Sequence, residues 1–260
     1  PGTDQCGMNG NCCNANGPRG VLRIPNFSVM EETDRILLNM YNEGQYNLNN
    51  PDGNKVRISI DTDYPVNGKI SLKVHPEKPG DFKIYLRIPA WSSNTTVLVN
   101  ESGINDVNAG EYLAIERKWK DGDQISLELD MRGRIVLLKN PAEGQAPFFS
   151  ILRGPVVLAK DTRLSDRSVD EVCSPEKIDE NYIQLRPVKN KPEWAWMAFE
   201  AGFISGSFTE GHYGETQWIP LCDFMSAGNS WDHDSRYRVW YYQLDNPSAG
   251  KTERNVVFDF

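Results

Sequence analysis

Short runs of alternating apolar and polar residues, separated by glycine, proline, asparagine and aspartate, fill most of this sequence. Clear examples are "KVRISIDTDYP" (55–65), "KISLKVHP" (69–76), "FKIYLRIP" (82–89) and "QISLELDM" (124–131). An alternation with a period of two places the apolar side chains on one face of a strand, and the connecting residues favour tight turns. A helix would scatter the same apolar residues around its circumference. The pattern therefore restricts the chain to an all-β fold class.

The strand pattern falls into two blocks. The first block predicts eight or more strands in roughly 110 residues, which is the content of one β-sandwich. It ends at "KNPAEGQAP" (139–147), the segment that best suits an internal boundary. After a charged stretch at 162–180, predicted to be a long loop, strand-like runs resume, among them "WAWMAFEAGF" (194–203). We predict two β-sandwich-type domains in series, at residues 34–140 and 141–260.

Charge and hydropathy limit the partners of such a chain. The net charge is −8 and lysine and arginine form no cluster, which argues against a nucleic acid or an anionic membrane surface as a partner. No run approaches the roughly 18 apolar residues that a membrane helix needs. A neutral or small polar ligand fits the composition better. The oligomeric state stays open, and a homodimer is one of the options.

The beginning of the chain departs from the strand pattern. "NCCNANGPRGVLRIPNF" (11–27) shows no alternation, and "PRGVLRI" (18–24) predicts one or two helical turns with Pro18 at the first position. The chain also starts without Met, in residues typical of a loop. We expect residues 1–33 to be the end of a helical domain, and the chain to be the C-terminal part of a longer protein.

Two adjacent cysteines, Cys12 and Cys13, stand out in this first segment. Vicinal cysteines rarely pair with each other, and the total of five is odd, so a disulfide framework is not predicted. At a helix end both thiols can reach one soft cation such as Zn²⁺, at about 2.3 Å per bond, and the resulting thiolate is nucleophilic. The alternative is that both are small buried apolar side chains, the usual role of a free cysteine. The pair lacks the CxxC spacing of a typical zinc site, so the chemistry alone leaves both readings open.

Other polar and aromatic residues also allow two interpretations. Asn14, Asn16 and Arg19 follow the cysteines and would either contact sugar hydroxyls or form hydrogen bonds at the helix end. Trp194 and Trp196 alternate as residues in a strand do, which suits either stacking on sugar rings or packing in a core.

Several motifs in order along the chain resemble one known family. They are "NCCNANGPRG" (11–20), "LRIPAW" (86–91), "GEYLAIERKWKDGD" (110–123), "LRGPVVLA" (152–159) and "DFMSAGNSWDHDSRYRVW" (223–240). Together they resemble the C-terminal part of glycoside hydrolase family 127, which includes bacterial β-L-arabinofuranosidases. The resemblance extends from Cys12 to Trp240.

The resemblance implies a fold and a zinc-dependent activity. Members of this family have an (α/α)6 helical barrel followed by β-sandwich domains, so residues 1–33 would be the end of the catalytic barrel. Their zinc ion is held by one glutamate and three cysteines. Two of these cysteines are adjacent, and the first of that pair is the catalytic nucleophile. By this resemblance Cys12 is the nucleophile and a zinc ligand, and Cys13 is a second zinc ligand.

The remaining parts of such a site are not expected in this chain. The resemblance places the other zinc ligands and the acid/base glutamate in the missing N-terminal barrel, and Cys6 matches none of them. It implies a carbohydrate substrate, an L-arabinofuranoside or related plant-glycan sugar, with a retaining mechanism. The compartment stays open between the bacterial cytoplasm and the periplasm. The 260-residue chain alone is then expected to be inactive. The alternative is a noncatalytic carbohydrate-binding or structural β-sandwich module that supports the barrel.

Overall fold

The structure, a computed structural model, describes residues 12–138, 148–171, 173–179, 181–205, 216–230 and 235–242. Over these residues the predicted all-β class is confirmed. The chain separates into two compact units, Pro1–Asp130 and Met131–Phe260. This division precedes the predicted boundary at residue 140, because strand Gly133–Leu137 pairs with strands of the second unit.

Two short helices open the described part of the chain, α1 at Cys12–Val21 and α2 at Ile24–Ser28. Helix α1 begins before Pro18, which therefore lies inside the helix and not at its first position. Pro18 removes one backbone donor, but its carbonyl accepts the N–H of Leu22 at 2.9 Å. In α2 a proline occupies the first turn, where the missing N–H has no helical partner to lose.

The first unit holds two β-sheets. In the described residues its strands are β1 Val29–Glu31, β2 Arg35–Leu38, β3 Gly44–Asn49, β4 Lys55–Asp61, β5 Lys69–Pro76, β6 Gly80–Arg87, β7 Thr96–Val99, β8 Ser102–Gly103, β9 Tyr112–Trp119 and β10 Asp123–Glu128. One sheet has the order β1-β2-β6-β9 and the other β3-β4-β5-β10-β7-β8. Strands β2 and β6 run parallel, and the other pairs are antiparallel. Strand β1 forms the edge of the first sheet. It lies within residues 1–33, the segment predicted to be the end of a helical domain.

The core of the first unit lies between these sheets. Strands β4 and β5 bury every second residue, as the alternation in the sequence predicts. Trp119 from the other sheet is fully buried, and its indole N–H donates to the carbonyl of Phe82 at 2.9 Å. Trp119 is the largest fully buried side chain, and this bond pairs its one polar atom. The ring therefore packs in the core without leaving an unpaired hydrogen-bond donor.

The second unit is built on one continuous sheet. Its described strands are β11 Gly133–Leu137, β12 Phe148–Arg153, β13 Val156–Asp161, β14 Cys173–Pro175, β15 Lys177–Asp179, β16 Tyr182–Ile183, β17 Leu185–Pro187, β18 Ala198–Ser205, β19 Thr216–Asp223, β20 Tyr237–Arg238 and β21 Tyr241–Tyr242. The main order is β14-β18-β19-β13-β12-β11-β16-β15, with β17 on β18, β20 on β13 and β21 on β12. Phe149, Phe203 and Tyr241 pack together at its centre, with ring centroids 5.3–6.3 Å apart.

Two local predictions for the second unit differ from the structure. Strands β14 and β15 lie within the stretch predicted to be a loop, and they pair with β18 and β16. Trp194 and Trp196 lie in the turns before β18, which begins only at Ala198.

Within the described ranges, no helix has the length and apolar character needed to cross a membrane.

Candidate functional site

The cysteine pair lies at the start of helix α1. Cys12 and Cys13 are its first two residues. The side chains of both cysteines lie outside the part of the chain that the structure describes, and so does Cys6. The positive end of a helix dipole favours an anion such as a thiolate. The backbone placement therefore suits the chemistry predicted for Cys12, whose role as nucleophile and zinc ligand stays a prediction, as does the role of Cys13.

The polar residues that follow the pair form a hydrogen bond on the helix surface. Arg19 Nη2 donates to Asn16 Oδ1 at 2.7 Å, one turn earlier in α1, and both side chains are exposed. This contact corresponds to the helix-end hydrogen bonding that is the simpler of the two interpretations of these residues.

Helix α2 is held against the β-strands of the first unit by a small group of hydrogen bonds. The carbonyl of Ser28 accepts the N–H groups of Asn39 and Met40 at 2.8 and 3.2 Å. Asn39 in turn donates to the carbonyl of Phe27 at 3.0 Å, and its own carbonyl accepts Arg87 Nε at 2.6 Å. The end of α2 is therefore fixed to β6 of the sandwich, since Arg87 is the last residue of that strand.

Exposed apolar side chains lie in and next to the two helices in sequence. They are Val21, Leu22, Ile24, Phe27, Met30 and Met40, and we call them the α1–α2 apolar surface. Leu22 is 77% exposed and Phe27 is 49% exposed. Six exposed large apolar side chains between residues 21 and 40 favour an interface with another domain or protein.

The cysteines of the second unit do not suit nucleophilic chemistry. Cys173 and Cys222 are both free and buried. Burial raises the pKa of the Cys222 thiol to about 12, with the nearby carboxylates of Asp161 and Asp223 adding to the effect. Burial also raises the pKa of Cys173, although the ammonium group of Lys160 opposes it. At neutral pH both are thiols, and the thiolate is the reactive form.

Lys160 contacts Cys173 inside the second unit. Its Nζ lies 3.3 Å from Cys173 Sγ and 3.4 Å from the carbonyl oxygen of Glu171. The same Nζ lies 5.3 and 5.4 Å from the ring centroids of Phe203 and Tyr241. Cation–π contacts with two rings therefore help to hold a lysine that is only 4% exposed. Sequence reasoning missed this site, because the rings lie far from Lys160 along the chain.

A buried ion pair lies next to it. Arg163 Nη2 is 2.6 Å from Asp161 Oδ2, and the Asp161 side chain is fully buried. Burial alone would raise the pKa of Asp161, but the hydrogen bonds from Arg163 and from the N–H of Gly228 outweigh it and lower that pKa. The pair is structural, since its carboxylate is saturated by these donors.

A groove of about 580 Å³ lies in the first unit. Its charged lining comes from Glu43, Asp61, Asp63, Lys69 and Glu128, all of which are exposed. A glycosidase acid is a carboxylic acid whose proton is retained by burial or by a neighbouring charge. Exposed carboxylates do not meet this requirement, so the described residues of the groove supply no general acid.

The described side chains form no metal site of their own. Among them, no three His, Cys, Asp or Glu residues converge in a way that would hold a metal ion. Cys12 and Cys13 would supply two sulfur donors, which is half of a tetrahedral zinc site.

Comparison with known proteins gives the family context. Residues 35–131 match the family described as "Beta-L-arabinofuranosidase, GH127 middle domain". This range includes most of both sheets of the first unit, and it begins after helices α1 and α2. A search of curated protein sequences returns no match.

Solved structures share the fold over most of the chain. A GH127 β-L-arabinofuranosidase from Geobacillus stearothermophilus T6 aligns with a TM-score of 0.73 and 19% identity, over 91% of this chain and 38% of that one. A protein named glycoside hydrolase aligns with a TM-score of 0.74 and 24% identity, over 94% and 41%. A GH127 β-arabinofuranosidase aligns with a TM-score of 0.72 and 25% identity, over 91% and 39%.

The chain thus spans about two fifths of the length of these relatives. Residues 35–131 match the GH127 middle-domain family, and the resemblance of the chain to part of a glycoside hydrolase family 127 protein is confirmed.

Proposed function

We propose that this chain is part of a bacterial retaining glycoside hydrolase that acts on L-arabinofuranosides or related plant-glycan sugars. Its Cys12 is the nucleophile and a zinc ligand, and Cys13 is a second zinc ligand. The observation that carries the proposal is the GH127 middle domain at residues 35–131, together with an adjacent cysteine pair on the helix that precedes it.

The chemistry assigned to Cys12 is nucleophilic displacement at the anomeric carbon. The sulfur forms a bond to that carbon as the bond to the leaving oxygen breaks, and a carboxylic acid of the parent enzyme gives that oxygen its proton. Water then attacks the same carbon, transfers a proton to the carboxylate and releases the sulfur. Two displacements at one carbon retain the anomeric configuration.

Zinc is the cofactor that suits two adjacent thiols. A bound zinc ion would hold the sulfur of Cys12 as a thiolate before attack and stabilise it when it leaves. The remaining zinc ligands and the carboxylic acid belong, in this proposal, to the helical barrel of the parent enzyme.

The α1–α2 apolar surface supports a barrel as the neighbouring domain. Burying an apolar side chain as large as Leu22 or Phe27 stabilises an interface by about 1.5–3 kcal/mol. Both side chains are exposed in this chain; Leu22 directly follows the helix that carries the cysteines, and Phe27 lies in α2. A helical domain packed on this surface would cover the C-terminal end of α1, the helix whose first two residues are the cysteine pair.

The test is a cysteine substitution in the parent enzyme. We expect Cys12→Ser to lower kcat for an aryl β-L-arabinofuranoside by about three orders of magnitude or more, because a serine hydroxyl is a far weaker nucleophile and zinc ligand. Cys13→Ser should lower the zinc content as well as the activity. Initial rates and metal analysis on the same preparations measure both effects.

Cys6→Ser is the matched control, because Cys6 precedes the pair closely in sequence and has no proposed role. It should keep both activity and zinc. Normal hydrolysis by Cys12→Ser would refute the assignment of the nucleophile.

A second candidate function is a noncatalytic carbohydrate-binding role. Exposed aromatic side chains in the second unit, Trp196, Phe224 and Tyr237, favour it. This role is compatible with catalysis elsewhere in the parent enzyme.

A further inference from the structure

Four large apolar side chains of the second unit are exposed around one turn. Trp196 is 50% exposed, Phe224 45%, Met225 84% and Tyr237 47%. The ring centroids of Phe224 and Tyr237 are 5.7 Å apart. The backbone N–H of Trp196 donates to Ser226 Oγ at 2.9 Å, which places the Trp196 backbone next to the same turn. We call these four residues the aromatic patch.

The turn beneath the aromatic patch is firmly held. The buried carboxylate of Asp223 accepts the N–H groups of Met197 and Ser226, both at 2.9 Å. The N–H of Phe224 donates to the carbonyl of Val157 at 2.9 Å, which ties the turn to β13. The rings are therefore presented on a backbone with fixed hydrogen bonds, and little conformational entropy is lost when a ligand binds.

Tyr237 is positioned by a glycine. A Cβ at Gly228 would lie 2.3 Å from Tyr237 Cδ1, and Gly228 has a φ of +61°. A residue with a side chain would be strained here and would displace the ring. Glycine at this position lets the tyrosine ring lie directly on the turn.

Trp194 is not part of the aromatic patch. The guanidinium carbon of Arg163 lies 3.7 Å from the centroid of the Trp194 ring, and Arg163 is held by the buried carboxylate of Asp161. One face of Trp194 is thus already covered. Trp194 is a packing residue, whereas half of the Trp196 surface is open to solvent.

The composition of the patch favours a sugar as its occupant. Three of its four side chains are aromatic rings, which attract the polarised C–H groups on the face of a pyranose or furanose. At the same turn, Arg163 Nη1 donates to Oδ1 of the exposed Asn229 at 2.7 Å and Arg163 Nη2 donates to the carbonyl of Ser226 at 3.0 Å, so polar groups also belong to this turn. A neutral ligand also meets no repulsion from a chain with a net charge of −8.

We propose that the aromatic patch binds a neutral, pentose-rich plant polysaccharide, at a site separate from the cysteine pair. The choice of polysaccharide rests on the proposed glycosidase function. Such a site would hold a polymer near the enzyme without taking part in bond cleavage.

The test measures binding by the 260-residue chain itself. Linear arabinan is the first probe and xylan the second, with retardation in polysaccharide gels and titration calorimetry as readouts. We expect Trp196→Ala and Phe224→Ala each to weaken arabinan binding by roughly tenfold, since each removes one stacking ring. Both residues are about half exposed, and unchanged near-UV circular dichroism will establish that the variants fold.

Tyr112→Ala is the matched control, because Tyr112 is 44% exposed and lies in the other unit. It should bind arabinan as the unchanged chain does. The proposal fails if the unchanged chain binds neither polymer, or if the patch variants bind as tightly as the control. It also fails if Trp196→Ala changes only self-association in sedimentation, which would mark the patch as a protein interface.

Cys12→Ser separates this proposal from the catalytic one. It should leave arabinan binding by the chain unchanged, whatever it does to hydrolysis by the parent enzyme. Loss of binding in the patch variants with normal hydrolysis by Cys12→Ser would refute only the catalytic assignment.

Discussion

At the scale of single residues, Asp161 shows how the second unit tolerates a buried charge. Its carboxylate accepts hydrogen bonds from Arg163 and from the N–H of Gly228 at 2.9 Å. Removing one partner of a buried pair leaves the other charge without compensation, which costs more than the pair itself contributes.

We predict that Asp161→Asn lowers the free energy of unfolding at pH 7 by about 2–4 kcal/mol. Urea denaturation followed by tryptophan fluorescence measures this change. The matched control is Asp170→Asn, because Asp170 pairs with Arg238 at an exposed site. Its substitution should cost less than about 1 kcal/mol. Equal effects for the two variants would contradict the structural role of the Asp161 pair.

The same pair predicts a pH dependence. Because the pKa of Asp161 is lowered in the folded state, its contribution is fully present above the pKa of the unfolded chain, about 3.9. The contribution is lost as the pH falls below that value and through the folded pKa. The difference in stability between the unchanged chain and Asp161→Asn should therefore shrink at low pH.

At the scale of elements, strand β11 depends on a residue without a side chain. A Cβ at Gly133 would lie 2.7 Å from Leu185 Cγ and 2.8 Å from the carbonyl oxygen of Ile183. Gly133 pairs with Ile183 in β16, so the obstacle is partly backbone and cannot rotate away.

We predict that Gly133→Ala destabilises the chain by about 1–3 kcal/mol through overpacking. Gly103→Ala is the control, because the nearest atom to its added Cβ, Leu98 Cδ2, would be 4.0 Å away. Thermal denaturation of both variants checks the difference. A stable Gly133→Ala variant would show that β16 can move away from β11 at little cost.

The long strands could be predicted from the sequence and the short ones could not. Strands β4, β5 and β10 alternate over six to eight residues, so one buried face is visible in the sequence itself. Strands β14 and β15 have three residues each, too few to show a period, and their place depends on pairing with β18 and β16. Only the second half of helix α1 could be predicted. Proline is common at the first position of a helix, so the sequence predicts a start at Pro18, whereas α1 begins at Cys12 and contains Pro18.

The two candidate sites also differ in how far the sequence reveals them. The cysteine pair stands out because its two members are adjacent in sequence. The aromatic patch joins Trp196 to Tyr237 through a turn between them, so only the folded chain reveals it.

At the scale of the whole molecule, the chain spans about two fifths of its structural relatives. A four-ligand zinc site cannot be completed by Cys12 and Cys13 alone. Catalysis is therefore expected only of the parent enzyme, which would supply the other ligands.

We predict that the 260-residue chain alone hydrolyses no aryl arabinofuranoside and binds zinc far more weakly than the parent enzyme. Two thiolates form fewer bonds to the ion than four ligands do, and metal affinity falls accordingly. Competition with a chromophoric chelator measures the affinity, with the parent enzyme as reference. Hydrolysis by the isolated chain at the rate of the parent would contradict the whole assignment.

The hydrogen bonds that link α2 to Arg87 through Asn39 also bear on how such an enzyme would respond to heat. The carbonyl of Asn39 joins the end of β6 to the segment that holds α2. If the sandwich unfolds, this bond and those to Ser28 are released, and α2, which follows the cysteine-bearing helix α1 along the chain, loses its fixed position. The temperature at which the parent enzyme is inactivated would then follow the melting of its β-sheets, and stabilising the sandwich would raise its working temperature.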